Sequence, residues 1–281
     1  MLFNTNLIVS FMQGIWLKSQ GTSALNVPEI PIRWKKVRRG TMKIGQERLM
    51  VLTFLYSAVD FFVATLLNIL TQTKNNMRFS IICPSFLGSY HNAAKDRDKK
   101  IVRMIESVIS QTFQDFELII VADGDKRTVE IVEPYFYEYL PKIRILEIPK
   151  QKTWSGAVRN AGISKALGEI ITYVDIDDML GANHLQIIND NFGDADWVWY
   201  DHLTYSKQLN EFVPYKTDIN QAGKCGTSSI SHKRSLEAMW VNHSYSHDHI
   251  LIKTLMALSA NYKQIPQTEY TVCHAPNQFD V

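Results

Sequence analysis

The stretch TWSGAVRNAGISKALGEIITYVDIDD, residues 153–178, decides how the chain is read. Its first half has the spacing of a helix, and its second half is a β-rich, mostly apolar run, as expected of a central strand covered on both faces. Asp175, Asp177 and Asp178 fall at the carboxyl end of that strand. In open α/β sheets ligands bind at that edge. Carboxylates packed this closely repel one another and require a counter-charge. An all-oxygen shell of this kind suits Mg²⁺ or Mn²⁺, with coordination places left for diphosphate oxygens. The alternative is an acidic turn that caps the following helix.

Around this segment the alternation of strand and helix is regular. Residues 79–83 read as a strand, 99–112 as an amphipathic helix with apolar residues at helical spacing, and 116–121 as a second buried strand. Residues 126–140 read as a helix, 143–148 as a third strand, 155–166 as a helix and 169–174 as the fourth strand. This order predicts an α/β fold with a mixed, mainly parallel, Rossmann-like sheet flanked by helices. Beyond the acidic cluster the pattern changes: 196–202 and 211–215 read as strands with no helix between them, and helices are expected at 233–240 and 247–260.

Charge and composition narrow the function. The 281 residues carry a net charge of +2, unevenly spread. Residues 1–78 hold ten Lys and Arg against three Asp and Glu, which leaves the remainder acidic. An acidic domain without basic–aromatic interleaving excludes nucleic acid as a partner. Three cysteines, far apart, match neither a disulfide framework nor a zinc site and point to a reducing compartment.

Residues 1–76 read as an extension and 77–281 as the folded domain, divided into a nucleotide-binding half (77–178) and an acceptor and catalytic-base half (179–281). Within the extension, residues 49–70 form a 22-residue apolar run interrupted by Asp60 and preceded by a basic flank. Such a run is long enough to cross a bilayer, although Asp60 near its centre costs about 2.5–3.5 kcal/mol. Three readings stand: a membrane-associated helix, a dispensable extension, and a helix packed on the domain. A spanning helix would put the domain outside, as in a secretory lumen. Cytosolic activated substrates favour a cytoplasmic location with membrane association at the cytoplasmic face.

The first strand ends in Pro84-Ser85 and the second in Val121-Ala122-Asp123-Gly124-Asp125. Neighbouring parallel strands bring their carboxyl ends together, so Asp123 and the Asp175 cluster are expected to face one crevice. Asp123 can accept from a base N–H or a ribose hydroxyl; it can equally be a turn carboxylate. No G-x-G-x-x-G and no G-x-x-x-x-G-K-[ST] is present, which excludes a dinucleotide fingerprint and a P-loop.

Over residues 78–178 the chain resembles the nucleotide-binding half of family 2 glycosyltransferases, which have the GT-A fold. The matching residues are Pro84-Ser85, Ser107-Val108-Ile109-Ser110-Gln111-Thr112-Phe113, Asp115-Phe116-Glu117 and Val121-Ala122-Asp123-Gly124. They continue with Gly156-Ala157-Val158-Arg159-Asn160-Ala161-Gly162, Ala166-Leu167-Gly168-Glu169 and the D-x-D sequence Asp175-Ile176-Asp177 with Asp178. Each is short, and their order and spacing make the combination specific. The resemblance implies an inverting, metal-dependent enzyme that moves a sugar from a nucleotide-diphosphate donor to a carbohydrate or glycolipid acceptor, in polysaccharide or glycoconjugate assembly. It gives Pro84, Ser85, Asp123, Arg159 and Asp175 to the donor, and Asp177 with Asp175 to Mn²⁺ or Mg²⁺. Asp178 becomes a supporting partner or a helix cap. Departures are Phe86-Leu87 after the first strand, Ala122 for the first of a usual Asp pair, and Gly181-Ala182 where a Pro is common.

An inverting displacement needs a base beside the acceptor hydroxyl. The family's Glu-Asp pair at the start of a late helix corresponds here to His247-Asp248, which makes Asp248 the expected base; the alternative is a carboxylate that favours the helix amino terminus. A late histidine completes the metal shell in several GT-A enzymes, and His274 occupies that place. Trp197, Trp199, Tyr200 and Tyr205 are candidates for stacking on sugars or for the core, and residues 223–229 for a loop closing over the donor. Two rivals remain: a degenerate module that binds nucleotide sugars without transfer, and a sugar-nucleotide nucleotidyltransferase, whose Gly-rich, Arg-containing loop after the first strand is poorly matched here by SFLGSYHNAAK.

Overall fold

The computed structural model describes residues 77–273, apart from 91, 92, 94, 153, 207, 243–245 and 267. The apolar segment 49–70 and His274 lie outside the described residues. Among the described residues no helix is long and apolar enough to cross a membrane.

Strands β1 (Phe79–Ser85), β2 (Phe116–Asp123), β3 (Ile143–Ile148) and β4 (Ile170–Tyr173) form the parallel core of a seven-stranded sheet. β6 (Trp197–Tyr200), β9 (Ile230–Lys233) and β10 (Tyr262–Ile265) extend it, giving the order β10-β6-β9-β4-β1-β2-β3. β9 runs antiparallel to both β4 and β6, so the sheet is mixed and mainly parallel. A four-stranded sheet, β5-β11-β7-β8, is built from β5 (Met179–Leu180), β7 (His202–Ser206), β8 (Glu211–Tyr215) and β11 (Tyr270–Val272).

Alternation along β1 explains the two cores. Phe79, Ile81 and Cys83 face a cluster with Met104, Ile105 and Val108 of α1 (Arg97–Ile109), Val132 of α2 (Lys126–Glu138), and Leu185, Ile188 and Phe192 of α4 (His184–Phe192). Ile82 points to the other side, with Val158 and Ile163 of α3 (Gly156–Ile163) and Leu251, Ile252 and Leu255 of α5 (His247–Leu258). Both faces of the central strands are therefore covered, as their continuous apolar runs predict.

Several family-like residues serve the fold rather than a ligand. Glu117, fully buried in β2, accepts from Ser80 Oγ and from Leu167 N at 2.6 Å each, and pairs with Arg144 at 2.5 Å. Gly168 N donates to the same Ser80 hydroxyl, and a Cβ on Gly168 would stand 2.5 Å from the β1 backbone. Gln111 donates to Gly181 O and accepts from Leu185 N, which ties α1 to the segment following the acidic cluster. Asn160 closes two hydrogen bonds of 2.8 Å with the Trp240 backbone.

Two expectations are corrected. Residues 233–240 contain no α-helix: β9 ends at Lys233, and a 3₁₀ turn, Arg234–Leu236, follows. Residues 196–202 are not one strand; the chain leaves β6 at Asp201 and enters the second sheet as β7. Trp197 and Tyr200 are buried core residues, with Trp197 stacked on Tyr262 at 4.4 Å, so neither can lie against a sugar.

Candidate functional site

Register sets the crevice. Ser85 is level with Ala122, and Ile82 with Tyr173, so the carboxyl ends of β1, β2 and β4 emerge side by side. Asp123 closes β2, and the turn after β4 carries Asp175, Asp177 and Asp178.

That turn is held from both sides. Asp178 is buried and fully engaged: one oxygen accepts from Tyr270 Oη and the other from Cys273 N, each at 2.8 Å. It is therefore anchored to β11, and the following helix has Asn183 rather than Asp178 as its N-cap. The Asp175 amide donates to Tyr270 Oη at 3.2 Å, and Arg103 of α1 donates to Asp177 O at 2.8 Å. Asp175 keeps 37% of its side chain exposed and accepts from Arg159 at 2.8 Å. Arg159 is buried under the turn, bonded also to Ser155 Oγ and lying 4.8 Å over the Trp240 ring. Its role toward Asp175 is thus structural in this state.

The electrostatics follow from the geometry. Desolvation raises the Asp175 pKa, and the charges of Asp177 and Asp248 push it further, against the pull of Arg159. Asp178 is driven well above the ordinary carboxylate range by burial and then by Asp177 and Asp175. The Asp248 carboxylate is near enough for its charge to act on Asp175.

Asp248 stands in the first turn of α5, with Ser246 as the N-cap. It accepts from Thr227 Oγ1 at 2.6 Å and lies 3.5 Å from His247 Nε2. The segment 223–229 is turned inward at its end: Cys225, Thr227, Ser228 and Ser229 are buried, so that part supports Asp248 rather than forming an exposed flap.

At the other end, Asp123 accepts from Lys150 Nζ at 2.5 Å and from Gln151 N at 2.6 Å. Lys150 also sits 3.9 Å over the Phe86 ring. Ser85 Oγ is shared with Thr128 Oγ1 at 2.8 Å, and Pro84 pairs within the sheet, so both shape the first loop from inside. Arg97 organises that loop through the carbonyls of Phe86, Leu87 and Gly88. Arg97, Lys150, Thr227 and Tyr270 were not singled out by sequence. Lys150, two residues past the end of β3, is the one whose position was readable.

Among the described residues no group of three or more His, Cys, Asp and Glu side chains is arranged to hold a metal ion. The donor set nevertheless fits one. Three carboxylates share one turn, two of them with raised pKa values, and the Arg159 guanidinium is bonded to Asp175. A divalent cation held by Asp175 and Asp177 would remove that repulsion. His274 follows Cys273, whose amide is bonded to Asp178.

Comparison with known proteins identifies the class. Residues 90–248 match the model of glycosyl transferase family 2. More than half of the chain is covered, and the chain belongs to that family. Glycosyltransferase GlyG of Streptococcus pneumoniae is 31% identical over 121 residues, covering 42% of this chain and 40% of that protein. Among solved structures, Staphylococcus aureus TarS 1–349 in complex with UDP superposes with a TM-score of 0.56 at 18% identity, covering 70% of this chain and 60% of that one. Mannosyltransferase PcManGT of Pyrobaculum calidifontis, in complex with GDP-Man and Mn²⁺, gives 0.51 at 12% identity, covering 73% and 59%. The chain thus spans less than two thirds of each of these relatives, and the two structures share its fold.

Proposed function

We propose that the chain is a metal-dependent, inverting glycosyltransferase that moves a sugar from a nucleotide-diphosphate donor to a carbohydrate or glycolipid acceptor in polysaccharide or glycoconjugate assembly. The observation that carries this is the acidic turn, Asp175 to Asp178, set at the carboxyl end of β4 beside the ends of β1 and β2, where Asp123 lies.

In this reading, residues 77–281 act as one catalytic domain. Asp123 and Lys150 offer an acceptor and a donor to the nucleobase, and the loop from Pro84-Ser85 to Phe86 borders it. Asp175 and Asp177, with His274, hold Mn²⁺ or Mg²⁺. When bound, the cation neutralises the diphosphate and stabilises the charge that develops as the nucleoside diphosphate departs. Arg159 keeps Asp175 aimed at the crevice through their 2.8 Å hydrogen bond. Asp248 takes the proton of the acceptor hydroxyl as its oxygen attacks the anomeric carbon on the face opposite the leaving group. The new glycosidic C–O bond forms as the bond to the diphosphate oxygen breaks, and the electron pair leaves with the nucleoside diphosphate. Thr227 fixes the orientation of the base by donating to it. Nucleotide sugars are cytosolic, which sets the enzyme in the cytoplasm, with the basic flank of residues 35–48 suited to the cytoplasmic membrane face.

The deciding experiment is nucleotide release by the full chain from UDP-, GDP- and dTDP-sugars, with and without Mn²⁺, beside Asp177→Ala. UDP-GlcNAc and GDP-Man come first, because TarS and PcManGT were solved with them. Metal-dependent release of one nucleotide, lost in Asp177→Ala, is expected. Binding of a donor without cleavage would instead establish a module that holds nucleotide sugars and transfers nothing.

A further inference from the structure

Trp154 lies between β3 and α3, one residue before the Ser155 that bonds Arg159. It is 42% exposed, although burying a large aromatic side chain is favourable by a few kcal/mol. Its ring contact places it beside the first turn of α5, which carries Asp248. The Trp154 ring centroid is 6.2 Å from that of His247, inclined at 55°. His247 packs edge-on against Trp240 at 5.6 Å, and Trp240 carries the Arg159 guanidinium that reaches Asp175. The residue after His247 is Asp248. An exposed indole is thus fastened, through one imidazole, to the helix turn that presents the carboxylate read as the base.

The crevice has aromatic surface at both ends, and the two are not equivalent. Phe86 and Tyr90 stack at 6.5 Å on the side of Asp123 and Lys150, where the nucleobase is assigned. Trp154 stands on the side of Asp248, where the acceptor hydroxyl must come. A pyranose has one face of C–H groups, and an indole is the broadest flat apolar surface a side chain can offer to it. Asp248, which acts as a base and is not a metal ligand in this reading, keeps negative charge on this side, which repels an anionic acceptor and admits a neutral one.

We infer that Trp154 is the stacking floor of an acceptor subsite for a neutral pyranoside. The inference rests on the reading of Asp248 as the base. It makes Trp154 a specificity-determining residue, supplied by a loop that otherwise serves the fold.

The test uses the full chain with a panel of methyl glycosides (glucoside, galactoside, mannoside and N-acetylglucosaminide) as surrogate acceptors. Saturation-transfer NMR on the wild type should show contact with the ring protons of at least one glycoside. Trp154→Ala should raise its dissociation constant by about 10-fold, equivalent to about 1.4 kcal/mol, and Trp154→Phe should recover most of that loss. With the nucleotide sugar that the wild type hydrolyses, Trp154→Ala should leave the donor KM within about twofold while the glycoside concentration for half-maximal turnover rises about 10-fold. The inference is overturned if no glycoside contacts the wild type, if Trp154→Ala binds the glycoside as the wild type does, or if the donor KM rises in step. Glycoside contact that depends on Trp154 without any nucleotide release would keep the subsite and remove the transferase reading.

Discussion

Asp175, Asp177 and Asp178 share a turn, and their surroundings give them different work. Asp178 spends both oxygens on Tyr270 and Cys273, whereas Asp175 keeps one side toward solvent beside buried Asp177. A raised carboxylate pKa means that the folded state holds protons more tightly than the unfolded chain. The cluster therefore costs stability at neutral pH in the metal-free protein and regains it as pH falls toward the unfolded value of 3.8. Asp177→Asn removes one repelling charge. The metal-free variant should melt at or above the wild-type temperature, yet lose the rise in Tm that Mn²⁺ gives the wild type. That rise corresponds to about 2.7 kcal/mol at a hundredfold excess over Kd. Donor turnover should fall by about 10²–10³-fold. Calorimetry with and without Mn²⁺ reads the first effect and nucleotide release the second; a lower Tm in the metal-free variant would show that Asp177 is structural. Asp248→Asn should behave differently, with kcat down about 10²–10⁴-fold and donor affinity by titration calorimetry unchanged. A loss of donor binding there would move Asp248 out of the role of base.

At the scale of elements, the short runs that carry the family resemblance prove to be joints between strands and helices. Glu117 is the clearest: one buried carboxylate ties β1, the segment before β4 and Arg144 of β3 together. Glu117→Ala strands Arg144 and the Leu167 amide, and should destabilise the fold by about 3–5 kcal/mol, measured by urea unfolding. The surviving folded fraction should keep its donor affinity, and a selective loss of that affinity would argue for a direct role. This network also explains what the sequence could and could not tell. The third strand, 143–148, and β8 at 211–215 have the expected bounds, because strand periodicity and flanking polar residues are local signals. The helix expected at 233–240 failed because residues 230–233 pair with β4 and β6, partners 31 to 63 residues away in the chain. Asp201 broke the 196–202 strand through bonds to Lys216, Thr217 and Gln264, none of them local. The helix at 184–192 was not read, although Leu185, Ile188 and Phe192 have its spacing. The same split holds in the site: the acidic turn and Asp248 were legible as residue types at strand and helix ends, whereas Thr227 and Tyr270 became visible only when distant segments met.

For the whole molecule, the acid response joins the two packed cores to the crevice. His184, His202 and His232 are buried and neutral, with pKa values lowered by desolvation to about 3, about 4 and about 4. Each is protonated in the unfolded chain below about 6.5 but resists protonation in the fold. The stability they contribute is therefore present above that value and is lost as pH falls through the window down to 3–4, at up to about 1.4 kcal/mol per pH unit for each histidine. The acidic turn opposes this trend, since Asp175 and Asp178 hold protons more tightly when folded. A single acid midpoint thus mixes two signs, and a substitution is needed to separate them. His232 shares a 2.7 Å hydrogen bond with Tyr173, and His202 one with Ser229, so changing either disturbs polar partners. His184 is the clean probe: among the described residues neither ring nitrogen has a hydrogen-bond partner, and the ring packs edge-on against Tyr200 and Tyr270 at 5.5 and 5.8 Å. Phenylalanine preserves those edge contacts and cannot take a proton. His184→Phe should match or exceed wild-type stability at pH 7, and its advantage should widen by up to about 1.4 kcal/mol for each pH unit below 6.5. Urea unfolding of the metal-free protein at pH 7, 6 and 5 measures this directly. Parallel curves for the two proteins would mean that His184 takes its proton within the fold, and that the packing between the two sheets opens to water on acidification.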